Sequence, residues 1–109
     1  SMSAPTTVCE VKDGEFLSYV ITPEQFGFTR CSKDELTGGS PQDNAQIALA
    51  ILKGEKGPKR DAVVLNSAAA IHIAKGISIE DAIREAQEVI DSGKALAQLE
   101  QFAALTNQE

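Results

Sequence analysis

Between Asp61 and Lys75 lie thirteen residues whose only polar members are Asn66, Ser67 and His72. The run contains no Gly or Pro and is bounded by charge, so it reads as a helix over about 61–75, apolar on almost every side. Such a helix has to be enclosed by neighbours. At about 20 Å, from 1.5 Å per residue, it is too short to cross a bilayer, which takes ~20 apolar residues. It is therefore expected to be the central helix of a packed domain, and the rest of the chain is constrained to supply its cover.

The segments on either side have helical patterns of their own. Ser78 is placed to cap a helix over 78–91, with Asp81 at the capping-box position. In it Ile79, Ala82, Ile83, Ala86, Val89 and Ile90 recur at spacings of three and four. Ser92-Gly93 breaks that pattern, and Leu96, Leu99, Phe102 and Leu105 give a last helix over 93–105 whose end is expected to fray. Upstream, Ser40 can accept an amide hydrogen bond and Pro41 suits a first helical position, because it needs no amide partner there. Asp43 adds favourable charge to that first turn. The helix it opens, over 40–53, has Ile47, Ala48, Ile51 and Leu52 as its expected buried stripe and Gly54 as its stop. Lys53 to Arg60 reads as a basic connector broken by Gly57-Pro58.

Residues 6–22 read as a β-hairpin. Val8, Cys9, Val11, Phe16, Leu17, Tyr19, Val20 and Ile21 favour strands and flank Asp13-Gly14, a pair that tolerates the positive φ of a tight primed turn. That turn sets Lys12 opposite Glu15, Val11 opposite Phe16, Glu10 opposite Leu17 and Cys9 opposite Ser18. One face then carries Cys9, Val11, Phe16 and Val20; the other carries Val8, Leu17, Tyr19 and Ile21. Both are substantially apolar, and a two-stranded hairpin is marginal by itself, so this one is expected to join a larger sheet. After it, Pro23 to Gly27 reads as one helical turn capped by Thr22, with Phe26 and Phe28 anchoring the following loop. Cys31 to Leu36 reads as another, with Ser32 and Glu35 forming a capping box. Ser1-Met2 reads as a cleavage scar, leaving 3–109 as a single segment. Residues Ser3 to Thr7 lead so directly into a strand that truncation is expected.

At 109 residues the chain can form one modest domain. It has no Trp, one Tyr and four Phe, so Ala, Ile, Leu and Val have to build the core, which suits closely packed helices. A formal charge of −6 argues against general electrostatic binding of nucleic acid or anionic membranes. Nothing reads as a secretory leader. Cys9 and Cys31 have no metal-site spacing and are expected to be reduced, packed thiols.

Candidate chemistry is sparse. His72, the only histidine, has no acidic residue at helical spacing and is expected to be a packed core side chain. Gly38-Gly39-Ser40 precedes a helix start that could face an anion, but without a P-loop lysine it reads as a turn with its cap. Lys53, Lys56, Lys59 and Arg60 could hold an anionic group, yet Glu55 interrupts them and a solvated connector is the better reading. Asn44 and Asn66 are expected to tie helices to backbone, since buried amides have to be hydrogen-bonded. Asp13, Asp34, Glu35 and Asp43 read as turn and cap residues. No catalytic, substrate-binding or metal residue is assigned.

In order and spacing these parts resemble the C-terminal end of the anthranilate phosphoribosyltransferases. The resemblance runs from about Pro5 to Leu105. It rests on Val11-Lys12-Asp13-Gly14-Glu15, Pro23-Glu24-Gln25-Phe26-Gly27, GGSPQDNA, GEKGPKRDAVVLNSAAA and the closing IDSGKAL. It implies an α+β fragment, an antiparallel β-hairpin followed by a mainly helical bundle, from the C-terminal part of an α/β phosphoribosyltransferase domain. It implies a parent enzyme that moves phosphoribosyl from phosphoribosyl pyrophosphate to the amino group of anthranilate, with magnesium, in tryptophan biosynthesis in the cytoplasm. The family's diphosphate loop, anthranilate pocket, Asp-Glu metal pair and dimerising helical domain would all precede this hairpin.

The expected partners are the missing N-terminal portion of the same protein and further copies of the chain, through exposed apolar surface. The chain alone is expected to be inactive and to need no cofactor of its own. A nucleic-acid-binding paralogue, disfavoured by the charge, and a non-catalytic interaction module are the rival readings. A nucleoside phosphorylase of the same broad superfamily is the weaker enzyme alternative.

Overall fold

The computed structural model describes residues 1–107. Strands β1 (Thr6–Lys12) and β2 (Glu15–Ile21) form an antiparallel hairpin. Two 3₁₀ turns follow, Glu24–Phe26 and Lys33–Leu36, and then helices α1 (Pro41–Leu52), α2 (Pro58–Lys75), α3 (Ile79–Asp91) and α4 (Lys94–Thr106). The pairing register is the one Asp13-Gly14 dictates, from Lys12↔Glu15 through Cys9↔Ser18 to Thr6↔Ile21. Asp13 (φ 53°) and Gly14 (φ 78°) both take positive φ, the geometry that matches a two-residue turn to strand twist.

The caps follow the sequence closely. Ser40 accepts from the Asp43 amide at 3.1 Å while the Asp43 carboxylate accepts from the Ser40 amide. Ser32 and Glu35 reciprocate in the same way, and Thr22 accepts from the Gln25 amide. Ser78 accepts from Asp81, whose own carboxylate turns to Arg84.

The core is small. Met2, Ile21, Val64, Leu65, Ala68, Ala82, Ile83, Ala86 and Ile90 are buried, with Val8, Tyr19, Phe26, Phe28 and Cys31 packed around them. Ala68, Ala82 and Ala86 supply the small side chains that let α2 and α3 pack closely through a bend of 117°. No single helix among the described residues is long and apolar enough to cross a membrane.

Met2 is fully buried, and its carbonyl accepts from the Cys31 amide. Several expectations need correction. Helix α2 begins at Pro58 rather than Asp61, because Gly57 adopts φ 143° and Pro58 fits the first turn. This places Lys59 and Arg60 in the helix, so the connector ends at Gly57. Helix α2 is also not enclosed: Arg60, Val64, Leu65 and Ala68 are buried, while Val63, Asn66, Ser67, Ala70, Ile73 and Ala74 lie exposed. Among the described residues, no element packs directly on that stripe; the hairpin faces Asn66 and Ile73 only across cavities. Ala48 and Val89, expected inside, are exposed, and in α1 only Ile51 is buried. Cys9 is an exposed thiol rather than a packed one; it and Cys31 are free.

Candidate functional site

Several of the polar residues singled out by the sequence are held by identifiable partners. The Asn44 side chain clasps Gly39, accepting from its amide at 2.9 Å and donating to its carbonyl at 3.3 Å. A Cβ on Gly38 would lie 2.3 Å from Asn44 Oδ1, and one on Gly39 would lie 2.7 Å from Asp43 Oδ2. The two glycines are therefore there for close approach, and Ser40 is occupied as a cap. Asn66 is exposed on the uncovered stripe of α2, contrary to its expected role as a buried tie.

The basic connector does not converge on a ligand. Arg60 is 5% exposed and makes a bidentate pair with Asp91, Nη1–Oδ1 2.8 Å and Nη2–Oδ2 3.1 Å. Those hydrogen bonds hold the Asp91 carboxyl below its ordinary pKa and lock the start of α2 to the end of α3. Lys56 and Lys59 line a groove of about 320 Å³ that also contains Glu35 and Glu55, so its charge is mixed. Asp61 is pushed up by burial, which Arg60 and Lys56 partly oppose.

His72 is the one titratable side chain that gathers others around it. It donates from Nδ1 to the Ile77 carbonyl in the α2–α3 corner, and its Nε2 lies 2.5 Å from Glu10 Oε1 on β1. The Ile77 carbonyl raises the ring's pKa, burial opposes this, the Glu10 hydrogen bond and charge raise it further, and Lys12 opposes them. Tyr19 is raised by burial and then by Glu10. Glu10 was invisible to a search at helical spacing because it lies 62 residues away, on the strand that folds back over α2. The cavity beside this cluster, about 230 Å³, is walled mainly by Val8, Tyr19, Leu65, Ala69, Ile73 and Ile79. With both ring nitrogens committed, His72 is a tie between elements and not a free base.

No group of three or more His, Cys, Asp or Glu side chains among the described residues is arranged to hold a metal ion.

Comparison with known proteins gives a consistent picture. Residues 1–96 match the glycosyl transferase family, a/b domain. Anthranilate phosphoribosyltransferase of Methanobrevibacter smithii is 58% identical over 98% of this chain, and that of Lachnoclostridium phytofermentans 48% identical over 98%. The crystal structure of the Thermus thermophilus anthranilate phosphoribosyltransferase superposes with a TM-score of 0.75 at 40% identity, over 80% of this chain and 27% of that one. The chain spans about a third, 32%, of the length of the first two relatives.

Proposed function

This chain belongs to the glycosyl transferase family, a/b domain, and from that premise we propose that it is the C-terminal part of an anthranilate phosphoribosyltransferase. The parent would transfer phosphoribosyl from phosphoribosyl pyrophosphate to anthranilate, in the cytoplasm, as a step of tryptophan biosynthesis. The observation carrying this reading is the 58% identity to a protein of that name, sustained over 98% of the chain. This part contributes scaffold: turns, caps and the α2–α3 core. Magnesium, when bound, would offset the charge of the departing pyrophosphate, held by residues of the parent outside this chain.

The partner that completes the fold is the missing N-terminal portion. The accessible surface, 7371 Å², exceeds by about 1,500 Å² what a compact monomer of this size exposes. The radius of gyration, 15.6 Å, likewise exceeds the ~13 Å of a compact domain of about 100 residues. Much of the surplus is apolar: Val11, Phe16 and Val20 on the outer face of the hairpin, and Ile73 on the open stripe of α2, are 57–75% exposed. Open strand edges and apolar faces of this kind invite pairing with another copy. Light scattering on the chain alone should therefore give a dimer or larger species; a monomer at high concentration counts against self-association.

A chimera tests the functional reading. Replacing the matching third of the Methanobrevibacter smithii protein with this chain should leave anthranilate phosphoribosyl transfer within about tenfold of that relative, a change of ~1.4 kcal/mol in barrier. A folded chimera with no transfer would sink the assignment.

A further inference from the structure

The strand-to-helix contact around His72 carries an inference independent of the parent's chemistry. An imidazole has two nitrogens, and both here face groups that accept hydrogen bonds: the Ile77 carbonyl and the Glu10 carboxylate. A neutral ring has one N–H and one lone pair, so it can serve only one of them. The cation serves both.

The position of this tie matters. Towards the open end of the hairpin, Ile21 is buried and Val8 and Tyr19 pack on the core. Leu17, opposite Glu10, and Val11 and Phe16, next towards the turn, are 57–75% exposed. On either side of the His72–Glu10 contact the hairpin stands off the helix across cavities of about 230 and 290 Å³. The ion pair thus does there what apolar packing does elsewhere. We propose that protonated His72 is a pH-sensitive strut fastening the turn half of the β1–β2 hairpin to the α2–α3 corner. Loss of its proton frees that half of the hairpin from α2.

The charged and titratable neighbours act in a definite sense. On β1, Glu10 favours the cation and Lys12 opposes it; on β2, Tyr19 is a neutral phenol, its pKa raised from 10.0 by burial and then by Glu10. On α2 the nearest charge is Lys75, which pairs with Glu85 of α3. The folded-state pKa of His72 is raised above its ordinary 6.5. The strut therefore contributes fully below pH 6.5, and its contribution fades as pH rises through the raised folded value.

The chain has a single histidine, so its ring resonances are unambiguous in nuclear magnetic resonance. Titration should give a pKa above 6.5, with both ring nitrogens protonated at pH 6. Contacts between Glu10 and the His72 ring should be present at pH 6 and lost once the ring is neutral. In Glu10→Gln the pKa should fall towards 6.5 and those contacts should weaken already at pH 6. A wild-type ring titrating at or below 6.5 overturns the proposal, as do hairpin contacts that persist unchanged after deprotonation. An unaltered pKa in Glu10→Gln overturns it as well.

Discussion

Purified by itself, the 109-residue chain should convert no anthranilate above the uncatalysed background, under conditions in which the chimera turns over. Enzymes of ordinary proficiency accelerate their reactions at least ~10⁶-fold, so the contrast is all or nothing. The physical reason lies in how this chain's polar groups are used. His72 is committed at both nitrogens, Ser40 accepts from a helix amide, Asn44 holds Gly39, and Arg60 is locked to Asp91. None of these is available to position phosphoribosyl pyrophosphate or to take a proton from the anthranilate amine. Two neighbouring cations, Lys56 and Lys59, share their groove with Glu35 and Glu55. The measurement is product formation from both substrates with magnesium supplied. Phosphoribosyl anthranilate appearing in proportion to chain concentration would overturn the view that this part is scaffold.

The second large effect is on stability. Ile90 is 6% exposed where α3 meets α2, and Ile90→Ala should destabilise the chain by about 2–5 kcal/mol through lost burial and an unfilled cavity. Against the 5–15 kcal/mol of a typical domain, with a core this small, that change should lower the midpoint of thermal unfolding by at least about 8 °C or unfold the chain outright. Ile73→Ala removes the same atoms from a side chain that is 68% exposed, and should change stability by no more than about 0.5 kcal/mol. In the chimera the two sites should converge, because the open stripe of α2 would be covered there. Equal, small effects of Ile73→Ala in both settings would mean that this stripe faces solvent in the parent too.

The contrast between Ile90 and Ile73 shows what could be read in advance. Both are isoleucines on helices, and residue type does not distinguish them, but Ile90 lies in an amphipathic pattern and Ile73 in a nearly apolar run. Periodicity located α3 correctly, because its polar residues occupy one face and its core positions follow from spacing. Helix α2 has almost no polar face, so its sequence demands burial all round without saying which neighbours provide it. The same limit hid Glu10. A carboxylate one strand away in space is 62 residues away along the chain, and no local spacing could pair it with His72. Arg60 was misread for a related reason: its partner Asp91 closes the far end of a different helix.

What the sequence determined by itself is local. Asp13-Gly14 fixes the hairpin register because both residues accept positive φ. Ser40 and Ser78 set helical starts because their hydroxyls satisfy first-turn amides. Tertiary structure alone decided which apolar faces found partners, which ion pairs closed between distant elements, and that His72 joins a strand to a helix corner. Those outcomes depend on long-range packing. Among the described residues, the chain assembles a core on one side of α2 and leaves the other side largely exposed.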